Sequence, residues 1–80
     1  MEKKVNTEII EIGKRIKSLI VSKKLLVRDV AHDANLDPTN LRKYIRGTRE
    51  MRITTVLRIA AALGVPAGEL LNGLEIKKEG

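Results

Sequence analysis

The chain is predicted to fold as an all-α domain, a compact bundle of five short helices. Three observations predict this. Apolar residues recur at three- and four-residue steps along most of the length, the spacing of a helix face. Helix-stopping residues interrupt that rhythm at short intervals, at Asn35, Asp37-Pro38, Gly47 and Gly64. No segment makes a convincing strand, the apolar–charged alternation being confined to the short tail from Leu74. With 80 residues, 42% hydrophobic and 32% charged, the composition is that of one small globular domain.

Each element has its own justification. Asn6 or Thr7 can cap the first helix, with Glu8 and Glu11 near its positive end. Ile9, Ile12, Ile16 and Leu19/Ile20 form its apolar face, while Lys14, Lys17, Lys23 and Lys24 lie largely off it. Gly13 inside that helix costs about 1 kcal/mol relative to Ala, so it marks a close approach by a neighbour. The second helix covers residues 27–34, with Val30, Ala31 and Ala34 as a narrow apolar stripe. Leu25-Leu26 give its start no capping oxygen, and Asn35 suits the left-handed position past its end. Asp37 then caps a third helix, 38–46, that has Pro38 at its first position and stops at Gly47.

A fourth helix, 53–63, carries Ile53, Val56, Leu57, Ile59, Ala60 and Leu63 and closes at Gly64. After Val65-Pro66 a short fifth helix, 67–71, presents Leu70 and Leu71. The domain is thus expected over residues 6–73, followed by a short charged tail, 74–80.

Composition excludes several functions. The chain has no Cys and one His, so disulfides and Cys-based zinc sites are excluded and no metal site is expected. Tyr44 is the only aromatic residue, too few rings to stack unpaired bases. The N-terminus lacks the apolar stretch of a signal peptide. The longest uncharged apolar run, 59–65, is far short of the ~20 residues of a membrane span. The chain is therefore expected to be cytoplasmic, with no membrane partner, in a prokaryotic cell. No Ser/His/Asp set, phosphate-binding Gly loop or catalytic carboxylate pair is present, so no enzyme is expected. His32 is expected to be an exposed bystander, Asp29 and Asp33 a solvated acidic pair, and Tyr44 core filler.

The charge balance points elsewhere. Sixteen Lys and Arg against ten Asp and Glu leave a net charge of +6, which favours a polyanionic partner. The excess is concentrated: from Arg42 to Arg58 there are six basic residues and one acid. The second and third helices are joined by only Asn35-Leu36-Asp37, an arrangement that can place one helix in the DNA major groove. At about 100° per residue, Arg42, Arg46, Thr39 and Lys43 share one side of the third helix. Tyr44, Leu41 and Ile45 share the other, with Asn40 at the margin.

Lys and Arg donate to guanine O6 and N7, Asn can bond adenine bidentately, and a Thr methyl can meet that of thymine. Thr39, Asn40 and Lys43 are therefore candidate base readers. Arg46, Thr48, Arg49 and Arg52, at the helix end and in the next loop, are candidate phosphate contacts, together with Arg42 and with Arg28 at the start of the second helix.

The stretch 12–72 resembles the phage-repressor-like (Xre/Cro) helix-turn-helix family. The likeness is carried by Ile12-Gly13-Lys14-Arg15-Ile16, by Val30-Ala31 with Ala34-Asn35-Leu36, and by Leu41 with Tyr44 and Arg46-Gly47. It continues through Leu57-Arg58-Ile59-Ala60 and Ala62-Leu63-Gly64-Val65 to Glu69-Leu70-Leu71-Asn72-Gly73. The resemblance implies a lambda-repressor-like domain whose third helix enters the major groove, with dimers on two-fold related half-sites. By position it places Pro38, Thr39, Asn40 and Lys43 on bases, and Arg46, Thr48 and Arg49 on the backbone. Where the family has a Ser/Thr cap followed by Gln at the second helix, this chain has Leu26 and Val27, leaving that phosphate contact to Arg28. The family's turn glycine is Asn35, and a common glutamate is Ile45.

The expectation is a dimeric transcriptional regulator, a repressor, bound to double-stranded DNA. No cofactor or small-molecule ligand is expected. The dimer contact is assigned to Val65, Pro66 and Leu70, with Leu74 and Ile76 from the tail. Within the same fold, an antitoxin with a toxin partner and a restriction–modification controller are alternatives. A protein-interaction module that has lost DNA binding is a third.

Overall fold

The computed structural model describes residues 7–75. It is all-helical over that range: α1 (Thr7–Ser22), α2 (Val27–Asp33), α3 (Pro38–Ile45), α4 (Ile53–Leu63) and α5 (Gly68–Leu71). The predicted bounds shift by one residue at three helix ends, because Ala34 and Arg46 are C-caps and Ala67 is an N-cap. Asn6 and Ile76 lie outside the described residues.

The caps follow the local chemistry. Asp37 Oδ1 accepts from the Thr39 backbone N–H at 2.8 Å, which fixes where α3 begins. Leu26 occupies the same position before α2 and makes no side-chain cap. Asn35 takes φ 60°, and the Leu36 N–H returns to the Ala31 carbonyl at 2.8 Å, closing α2 in the turn ahead of α3. The guanidinium of Arg58 on α4 adds to that closure, donating to the Ala34 carbonyl at 3.1 Å. Arg58 is the last residue of the basic cluster 42–58, and its Nε–H is committed to this internal contact.

The core is formed by Ile12, Ile16 and Ile20 of α1, Val30, Ala31 and Ala34, Leu41 of α3, Val56, Ile59, Ala60 and Leu63 of α4, and Leu70 of α5. α1 packs on α3 and α5, while α2 packs on α3 and α4, so α3 is held from two sides. Gly13 is where α1 meets the C-terminal end of α3: a Cβ built there would lie 2.5 Å from the carbonyl oxygens of both Tyr44 and Ile45. Arg15 ties α1 to the far end of the domain, donating to the Asn72 carbonyl at 2.8 Å and pairing with Glu11 at 3.2 Å.

Two expectations from the sequence are corrected. Ile53 and Leu57 are not core residues of α4; they are 60% and 49% exposed. Thr55 is buried instead, because the inward side of α4 is centred on Val56, Ile59 and Leu63. Leu70, assigned to the dimer contact from the sequence, has its side chain in the core, 0% exposed.

Candidate nucleic-acid interface

The wheel argument for α3 describes the packed helix well. Leu41 is fully buried, Tyr44 and Ile45 are half-buried against the core, and Thr39, Arg42 and Arg46 are exposed. Asn40 and Lys43 lie between, partly covered but reaching the surface. The buried half of α3 anchors it, and the polar half is free to contact something else.

The loop after α3 is folded back onto it. The Gly47 N–H donates to the Tyr44 carbonyl at 3.0 Å with φ 74°, a left-handed turn that glycine adopts without Cβ strain. The Thr48 N–H and the Thr48 hydroxyl both donate to the Lys43 carbonyl, each at 3.1 Å. Both Thr48 donors are thus turned back onto α3, although the residue itself is exposed. Arg49 is directed at the helix: its Nη1 donates to Asn40 Oδ1 at 2.9 Å.

Two further cations beside α3 are exposed. Arg52 precedes α4 as its N-cap and is exposed, with no side-chain cap bond. Arg28 lies 3.9 Å from Asp29, with both side chains well exposed, a contact cheap to exchange for another anion. A shallow groove brings Arg28 together with Leu36 and Pro38, so the start of α2 and the start of α3 share one edge. His32 lines the same groove and is exposed. The positive charges thus flank α3 at its start and at its end, with Thr39, Asn40 and Lys43 between them.

The sequence reading missed the Asn40–Arg49 pair, because a contact nine residues apart across a turn has no periodic signature. It also missed a second stripe on α4. Ile53, Leu57 and Ala61 follow each other at four-residue steps and all are exposed, running toward half-buried Val65 and exposed Pro66. The spacing alone held that signal. Of the tail, Leu74 is half-buried against the core. No helix among the described residues is long and apolar enough to cross a membrane.

A family model described as a helix-turn-helix domain matches residues 13–76. The restriction-modification controller protein C.AhdI from Aeromonas hydrophila superposes with a TM-score of 0.79 at 26% identity, covering 82% of this chain and 100% of that one. The clp gene regulator ClgR from Corynebacterium glutamicum gives a TM-score of 0.79 at 20% identity, covering 85% and 72%. A hypothetical transcription factor, NHTF from Neisseria, gives 0.75 at 23% identity, covering 89% and 85%. These relatives are regulators rather than enzymes. No curated protein matches in sequence.

Proposed function

The chain belongs to the helix-turn-helix domain family, and on that premise we propose that it is a sequence-specific transcriptional regulator, a repressor that places α3 in the major groove of double-stranded DNA as a homodimer. The observation that carries this reading is the division of α3 into a buried anchor and an exposed polar face flanked by exposed arginines. Bases would be read by Pro38, Thr39, Asn40 and Lys43, while Arg28, Arg42, Arg46 and Arg52 neutralise phosphates. Repression follows if the operator overlaps the start of transcription, since a bound dimer excludes the polymerase from it.

Selection from a random duplex library at moderate salt tests the proposal. A two-fold symmetric consensus with half-sites about 10 bp apart is the expected result. Binding that falls steeply with salt and enriches no sequence would overturn it, since that is phosphate attraction without base reading. Lys43→Ala should cost about 1–3 kcal/mol at one base position of the consensus and leave the others unchanged. Titrations on matched and singly mismatched duplexes measure this.

Dimerisation is supported by the exposed stripe of α4, Ile53, Leu57 and Ala61, continued by Val65 and Pro66 in the connection between α4 and α5. Two such stripes related by a two-fold axis would bury the largest exposed apolar side chains of α4 against each other. Leu57→Glu is expected to weaken the dimer on the order of 100-fold, a typical interface hot-spot loss, with the melting temperature of the monomer unchanged. Sedimentation equilibrium reads the result; a wild-type chain that stays monomeric at tens of micromolar rejects it.

A second reading has a specific observation behind it. The chain spans the whole length of C.AhdI, and a restriction–modification controller would use the same interface on its own operon. Finding the selected consensus upstream of a neighbouring endonuclease gene would favour that role.

A further inference from the structure

The contact between Arg49 and Asn40 bears on which base the interface reads. A guanidinium carries N–H donors and no acceptor, so the Asn40 atom that faces Arg49 is its amide oxygen. That orientation follows from the chemistry of the pair. It leaves the Asn40 amide nitrogen pointing away from Arg49, with two N–H groups to offer.

Free asparagine recognises adenine with both ends of its amide: the oxygen accepts from the N6 amino group and the nitrogen donates to N7. Here the oxygen already accepts from Arg49, and its second lone pair lies beside the positive guanidinium. A second N–H donor there, such as the adenine amino group, meets an oxygen already shared with a cation and turns its own positive hydrogen toward the guanidinium, so it binds less well. What approaches favourably is an acceptor. Asn40 and Arg49 together present chiefly donors, and guanine is the base whose major-groove edge offers two adjacent acceptors, N7 and O6.

We propose that Arg49 is a specificity-determining residue: by holding the Asn40 oxygen it converts Asn40 from a reader of adenine into a reader of guanine. The inference rests on the proposal that α3 reads bases in the major groove. It also reassigns Arg49 from the phosphate contact expected from sequence to a residue acting through a neighbour on α3. Both side chains lie at the surface and neither belongs to the core, so replacing them leaves the packed helices intact.

The experiment compares selections from a random duplex library by the wild-type chain, Asn40→Ala and Arg49→Ala. The position at which Asn40→Ala loses its preference defines the base that Asn40 reads. At that position the wild type should favour guanine over adenine on the order of tenfold, the discrimination expected of a good bidentate contact. Arg49→Ala should invert the preference toward adenine there and leave every other position as it was. Two outcomes overturn the inference: a wild-type preference for adenine at that position, or an Arg49→Ala variant that binds all sequences more weakly by the same factor with an unchanged consensus. A wild-type chain that enriches no sequence overturns the base-reading proposal itself, so the two failures are distinguishable. Superimposable thermal melts of the three proteins would establish that the fold is common to them.

Discussion

Gly13→Ala is expected to lower the melting temperature by roughly 10 °C, although alanine is the better helix former. The propensity gain is about 1 kcal/mol. Against it stands a methyl group placed 2.5 Å from two carbonyl oxygens, those of Tyr44 and Ile45. Neither oxygen is the end of a flexible side chain. The Tyr44 carbonyl already accepts the Gly47 N–H at 3.0 Å, so moving it disturbs the turn that follows α3.

Relief requires α1 and α3 to separate, which loosens the packing of Ile12 and Ile16 on one side and Leu41 on the other. Overpacking of this kind costs about 1–3 kcal/mol or somewhat more. A net loss of about 2 kcal/mol corresponds to a shift of this size in a domain of 60–100 residues, at roughly 4–8 °C per kcal/mol. A circular dichroism melt measures it. A variant that melts at or above the wild-type temperature would show that propensity outweighs the approach of the two helices. Because α3 is also the proposed reading helix, its tilt should change with the substitution, and operator affinity should fall along with stability.

This close approach was legible in the sequence, since a glycine amid Ile9, Ile12 and Ile16 has no other local reason to be there. The α2–α3 turn was legible for a similar reason: Asn35, Asp37 and Pro38 each favour one backbone geometry, and the three geometries agree. The face of α4 was less so. An apolar residue every three or four positions marks a helix, but Ile53 and Leu57 satisfy that rhythm as well as Val56 and Ile59 do. Only packing decides which side turns inward: α4 packs on α2 and α5, and Val56 and Ile59 are among its buried residues. The polar contacts of the site were the least legible part. Thr48 and Arg49 read as free surface cations and hydroxyls until the chain reversal at Gly47 brings them onto Lys43 and Asn40.

The reassignment of Leu70 gives the largest expected effect. Leu70→Ala should cost about 2–5 kcal/mol, the range for truncating a fully buried leucine. A domain of this size has only about 4–12 kcal/mol of stability in total, from typical per-residue values. Leu70 is the one fully buried residue of α5, a helix of four residues whose attachment depends on it. Its loss should release α5 and with it the Arg15 contact to the Asn72 carbonyl.

The contrast with Leu57→Glu separates a core residue from an interface residue in one assay. Leu57→Glu is expected to keep its helicity at every protein concentration while its sedimenting mass halves. Leu70→Ala is expected to lose helicity and melt early at every concentration. Excess operator duplex should restore part of that loss, since a ligand at 100 times its dissociation constant adds about 2.7 kcal/mol to the folded state. A Leu70→Ala chain that melts like the wild type but sediments as a monomer would return Leu70 to the dimer interface. In that case α5 would have to pack differently in the dimer from its place against α1 and α4 here.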